Sequence, residues 1–151
     1  MIFRKAQPDD IPELVRLRVE FLNEVNGREG PPQGFEEALT QYLAAAMAEG
    51  SFDAWLAIED GRIAATSGVC YQTIAPNYSN PSGRSAYVLN MYTLPGFRRR
   101  GLATELLSRI IEDARRRGCV KVSLHATQEG RMVYGLLGFK TTDDEMVLRL
   151  G

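Results

Sequence analysis

The stretch Ala86–Leu107, AYVLNMYTLPGFRRRGLATELL, decides the reading of this chain. Its first part is rich in β-branched and aromatic residues and ends at Pro95, as a central strand would. Its last part opens an amphipathic helix. Ala103, Leu106, Leu107, Ile110, Ile111 and Ala114 make one apolar stripe, and the RRRG that follows at 115–118 closes the helix with cations and a glycine. Between strand and helix lies Pro95–Gly101, which carries three arginines and two glycines. After the helix, CVKVSLHAT (119–127) alternates as another strand, so Tyr87–Ala126 reads as a strand, helix, strand crossover with two parallel strands.

The rest of the chain reads outward from that unit. MIFRKA (1–6) is a first strand, and PDDIPELVRLRVEFLNEVNG (8–27) has the early acids, proline and closing glycine of a helix. After the loop REGPPQG (28–34), Phe35, Ala38, Leu39, Tyr42, Leu43 and Ala46 recur at helical spacing until Gly50. Residues 52–74 read as two strands joined at Asp60-Gly61, a dipeptide whose positions both tolerate positive φ. EGRMVYGLLG (129–138) reads as a short helix and FKTTDDEMVLRL (139–150) as a last β-hairpin. The expected order is βααβββαβαββ, in a single mixed α/β domain over residues 1–151.

Composition narrows the partners. Eighteen basic residues stand against 19 acidic ones, a net charge of −1, so no overall field favours nucleic acid or an anionic membrane. The opening residues lack an apolar core of a leader, and no stretch reaches the roughly 18–20 apolar residues that cross a bilayer. A cytoplasmic protein is the expectation. Cys70 and Cys119 give no disulfide framework, and with His125 as the sole histidine no metal-ligand spacing arises.

A basic, glycine-bearing turn between a parallel strand and a helix suits an anion. The first helical turn leaves its N–H groups without partners, the macrodipole adds positive potential, and Gly101 beside Ala103 lets a phosphate come close. Arg98, Arg99 and Arg100 add charge at the rim; a solvated basic loop is the plain alternative. The spacing fits neither a P-loop, which needs Lys-Ser or Lys-Thr after its glycines, nor G-x-G-x-x-G. It resembles the acetyl-CoA loop of the GNAT superfamily of N-acetyltransferases, whose pattern [QR]-x-x-G-x-[GA] is met by Arg98, Gly101 and Ala103. VYGLLGF (133–139) is similar to the family's second signature, a short helix with a tyrosine followed by Gly-Phe.

The resemblance implies a mixed, mostly antiparallel sheet flanked by about four helices and splayed between two parallel strands, one ending near Thr93 and the other near Ala126. Acetyl-CoA would lie in the split as co-substrate, with the backbone of Met91 and Thr93 holding the pantetheine arm and acetyl carbonyl. The amides from Arg99 through Gly101, Leu102 and Ala103 to Thr104 would hold the pyrophosphate. Tyr134 becomes the candidate proton donor to the departing CoA thiolate; otherwise it packs on the core beside Val133 and Leu137. His125, at the end of the strand bordering the split, is the first candidate base, with Glu24 behind it.

The first helix adds an anomaly. On its wheel Arg18 sits near the centre of the face formed by Ile11, Leu14, Val15, Phe21, Leu22 and Val25. Either it pairs with Glu20, Glu24 or Asp53, or it reaches the acceptor, a small-molecule or peptide amine, alongside Glu24. A non-catalytic acyl-CoA-binding domain remains the alternative, and the sequence leaves a homodimer open.

Overall fold

The computed structural model describes residues 1–27, 30–142 and 144–151; Arg28 and Glu29 of the expected loop and Asp143 of the expected last hairpin lie outside them. In chain order it holds β1 (Ile2–Lys5), α1 (Ile11–Asn26), α2 (Phe35–Glu49), β2 (Phe52–Glu59), β3 (Arg62–Thr73), β4 (Arg84–Thr93), α3 (Leu102–Arg116), β5 (Val122–Leu124) and α4 (Arg131–Leu136). The strands lie side by side in chain order; β1 to β4 are antiparallel, and β4 and β5 are parallel.

Strand alternation divides the core into two layers. Phe52, Ala54 and Leu56 of β2 face α1 and α2, where they meet Ile11, Leu14, Val15, Leu43 and Ala46. Ala57 of β2 and Ala65 of β3 face α3, against Leu102 and Leu106, while Val69, Ala86 and Val88 meet Leu107, Ile110 and Ala114. Asp60 and Gly61 take φ of 52° and 73°, the paired positive values that a two-residue hairpin turn requires.

One irregularity positions the site. Gly68 of β3 pairs with Leu89 of β4, yet Thr66 pairs with Tyr92, so Asn90 and Met91 together oppose Ser67. This bulge holds Asn90 at φ 56° and reverses the alternation. Before it, Tyr87 and Leu89 turn towards α1 and α2; after it Met91 joins the α3 side and Tyr92 meets Phe21 of α1, ring centres 5.9 Å apart.

Among the described residues the last hairpin is not formed. Residues 139–142 and 144–151 hold no strand, and Met146, Val147, Leu148 and Leu150 are 95%, 67%, 84% and 93% exposed. A hairpin gains stability by adding to a sheet, and β5, three residues long, offers it little edge. The observed order is therefore βααβββαβα. Among the described residues no helix is long and apolar enough to cross a membrane.

Candidate active site

The split between parallel strands is real and sharply bounded. β4 and β5 pair only over Ala86–Val88 and Val122–Leu124. Beyond Val88 comes the bulge, and beyond Leu124 the chain leaves the sheet, so among the described residues no strand lies beside one edge of β4 from Leu89 to Thr93. The Leu94 amide donates to Ala64 of β3 at 3.0 Å. Alternation then turns the backbone groups of Thr93 and Met91 to the open side. There Arg98 Nε donates to the Thr93 carbonyl at 2.9 Å.

The loop that follows is shaped by two left-handed residues, Arg99 at φ 63° and Gly101 at φ 76°. Such alternation curls successive N–H groups towards a common centre. Gly101 caps α3 with no side-chain hydrogen bond, so the amides of Leu102, Ala103 and Thr104 lack a capping side chain, and among the described residues beyond its own chain neighbours no atom lies within 4 Å of where a Cβ on Gly101 would stand. The arginines divide. Arg98 turns back to Thr93 and to Glu24, 3.3 Å from its carboxylate. Arg100 makes a two-pronged pair with Glu59 at 2.9 and 3.2 Å. Arg99 has no ion-pair partner among the described residues.

Tyr134 and Met91 pack on the same cluster, that of Val88, Leu107 and Ile110, which places Tyr134 on the α3 side of the split. Its ring meets Phe139 edge-on at 6.1 Å, and burial pushes its phenol above the ordinary value. His125 stands on the other side. Its side chain is 76% exposed, its Nδ1 is 2.6 Å from the Tyr87 hydroxyl, and its Nε2 is 3.9 Å from Glu145. Burial raises the Tyr87 phenol despite the nearby charge of Arg18. Sequence reasoning passed over Tyr87; the alternation that put His125 on one face of its strand, continued across to β4, would have found it.

Arg18 lines a pocket with Leu14, Leu39, Tyr42, Leu43, Phe52, Leu89 and Asn90. The carboxylates proposed for it are taken: Glu20 by Arg16 at 3.1 Å, Glu24 by Arg98, and Asp53 by Arg117 at 3.1 Å and Lys5 at 3.4 Å. Glu24 is thus drawn to Arg98 at the start of the glycine loop and away from this pocket. Asn90 and Tyr42 were also missed, the first because a bulge leaves no mark in the alternation and the second because it reads as one more apolar position of α2.

An arrangement of this kind, an open β4 edge running into an uncapped glycine turn at a helix start, has counterparts. Residues 13–139 match the model of the Acetyltransferase (GNAT) family. The chain belongs to the GNAT acetyltransferase family. Over 139 residues this acetyltransferase is 30% identical to glucosamine 6-phosphate N-acetyltransferase 1 of Oryza sativa subsp. japonica, covering 90% of this chain and 82% of that one. It superposes on a predicted acetyltransferase with acetyl-CoA from Clostridium acetobutylicum with a TM-score of 0.92 and 35% identity, over 98% of this chain and 95% of that one. A GCN5-related N-acetyltransferase from Ralstonia eutropha gives 0.84 and 27%, over 99% and 97%. The acetyltransferase therefore uses acetyl-CoA as its acetyl donor and an amine as acceptor.

Proposed function

We infer that transfer is direct, from acetyl-CoA in the β4/β5 split to a primary amine that approaches from the α1/α2 side. The observation that carries this is the placement of Tyr134 and the Tyr87–His125 pair on opposite faces of one opening. The residues present suit the donor: the uncapped amides of 102–104 and the unobstructed Gly101 accept a pyrophosphate, Arg99 adds charge, and the free edge at Met91 and Thr93 offers N–H groups to an extended amide-bearing arm. Arg98 and Glu24 hold the loop in shape, while Arg100 pairs with Glu59 at the surface.

Bound acetyl-CoA supplies an activated thioester carbonyl, whose C–S bond breaks as the C–N bond to the amine forms. The Met91 N–H steadies the negative charge that develops on the acetyl oxygen. Tyr134 holds a proton at its hydroxyl for the departing sulfur. With phenol near ~10 and thiol near ~8.5, full transfer is uphill by roughly 2 kcal/mol, so its hydroxyl donates a hydrogen bond first and the proton late. His125, exposed and hydrogen-bonded to Tyr87, takes the proton that the amine releases and passes it to solvent. Release of free thiol from acetyl-CoA across a panel of amines tests the reading; binding of acetyl-CoA with no amine-dependent release would favour the acyl-CoA-binding alternative.

The acetyltransferase is further proposed to pair with a second copy through residues 144–151, which expose four large apolar side chains beside a three-residue edge strand. Sedimentation should give a dimer; a monomer would overturn this pairing. Free Cys70 and Cys119 suit a reducing compartment such as the cytoplasm.

A further inference from the structure

We propose that the pocket between α1, α2 and the β4 bulge selects an amino-acid-like acceptor: Arg18 receives its carboxylate, Asn90 orients its amine, and an apolar side chain rests at the mouth against Leu39 and Leu89. The inference rests on the acetyl-transfer reading above and narrows it.

Arg18 projects from the buried face of α1, beside Leu14, Val15 and Leu17. A half-buried guanidinium demands a counter-charge, and among the described residues none is given to it: Glu20, Glu24 and Asp53 are each paired elsewhere. Burial weakens the guanidinium's hold on its proton, opposed only in part by the nearby Tyr87 phenol and Cys70 thiol. Tyr42 supplies no anion either, since its hydroxyl is 3.2 Å from Cys70 Sγ and burial raises its pKa to about 12. A guanidinium stays charged at neutral pH all the same. The missing partner is an anion from outside.

Asn90 supplies the second requirement. It is 9% exposed, held left-handed by the bulge, and its Oδ1 is buried with no hydrogen-bond partner among the described residues. A carbonyl oxygen needs a donor, and an amine N–H is one. Asn90 immediately precedes Met91, whose backbone borders the split, so an amine held there lies next to the acetyl group.

The remaining lining excludes other amines. A polyamine would set a second cation against Arg18. A hexosamine phosphate would satisfy Arg18 but set its several ring hydroxyls against a mostly apolar lining, where Asn90 and Tyr42 are the polar groups besides Arg18. An apolar amino acid meets all three demands.

The test compares leucine, leucinamide, spermidine and glucosamine 6-phosphate as acceptors at saturating acetyl-CoA. Leucinamide has the less basic amine, so any preference for leucine runs against amine availability. Leucine is expected to exceed leucinamide at least about tenfold in kcat/KM, a preference that Arg18→Met reduces to within about twofold and Arg18→Lys partly restores, with the KM for acetyl-CoA unchanged. Leucine should also raise the Tm of the parent and not that of Arg18→Met. Equal use of acid and amide, or superior use of glucosamine 6-phosphate or spermidine, overturns the proposal while leaving acetyl transfer intact. Stabilisation by leucine without acetylation of any amine supports the pocket and sinks the catalytic reading.

Discussion

The ring of Tyr134 fills the space that a side chain on Gly130 would need: a Cβ there would stand 2.7 Å from Cε2 and 3.1 Å from the hydroxyl. Gly130 sits at φ −80° and ψ −18°, a conformation open to any residue, so space alone calls for glycine. Gly130→Ala should displace the ring and lower kcat on the order of tenfold, with the KM for acetyl-CoA held within about twofold. In a Tyr134→Phe background the same substitution should cost almost nothing more. A further, additive loss would show that Gly130 acts on the fold and not through Tyr134.

Tyr134→Phe keeps the ring and removes only the hydroxyl. We expect kcat to fall on the order of 10- to 1000-fold with acetyl-CoA affinity preserved. The pH profile gives a second check. Burial disfavours the phenolate, so Tyr134 keeps its proton beyond the ordinary value near ~10, and no fall in kcat from loss of this proton should appear below that pH. An alkaline limb set by Tyr134 near neutrality would contradict its placement.

The three loop arginines should behave unequally. Arg99, exposed and unpaired among the described residues, offers long-range charge; Arg99→Ala should raise the KM for acetyl-CoA several-fold at low salt, an effect that shrinks as salt rises. Arg98→Ala should raise it at every salt concentration, because the bonds to Thr93 and Glu24 tie the loop to β4 and α1. Arg100→Ala, whose partner Glu59 lies at the surface, should change neither.

These unequal roles mark where the sequence stopped being legible. The stripe of α3, the turn at Asp60-Gly61 and the strand ending before Pro95 are local signals, and the structure keeps them. The partners of Arg98 and Arg100 lie 74 and 41 residues away, a pairing that no local pattern announces. The bulge at Asn90 is equally silent, since the alternation of YVLNMY runs on without a glycine to mark the break. The C-terminal expectation failed for the converse reason: EMVLRL has a strand's composition, but strands need a neighbour. Arg18 was legible because a helical wheel shows a charge on an apolar face, although only the fold shows which carboxylates are already engaged.

Stability should depend on Asp10 at the start of α1. Arg4 donates to its carboxylate at 2.8 and 3.0 Å and the Gln7 amide at 2.7 Å; the Arg4 bonds in particular hold its pKa below the ordinary carboxylate value. A carboxylate depressed on folding adds stability above its unfolded value of about 3.9, and that stability is lost as pH falls through the lower folded value. Asp10→Asn should therefore lower Tm by roughly 2–4 °C at pH 7, the shift expected for about 1 kcal/mol in a chain of this size. Thermal melts should show the gap narrowing below about pH 4 as the parent's Asp10 takes up its proton.

Gly101 serves two physical needs that substitution can separate. At φ 76° it occupies the left-handed region, where a β-branched residue is strained, and it also leaves open space where a phosphate would approach α3. Gly101→Val violates both needs. It should lower stability by about 1 kcal/mol or more and sharply weaken acetyl-CoA binding. Gly101→Asn adopts the left-handed conformation at less strain but still carries a Cβ. If close approach of the pyrophosphate is what matters, Asn will preserve Tm and still bind acetyl-CoA poorly in a direct titration. Recovery of affinity together with Tm would show that the glycine serves only the turn, and the pyrophosphate would have to be held elsewhere than on the amides of 102–104.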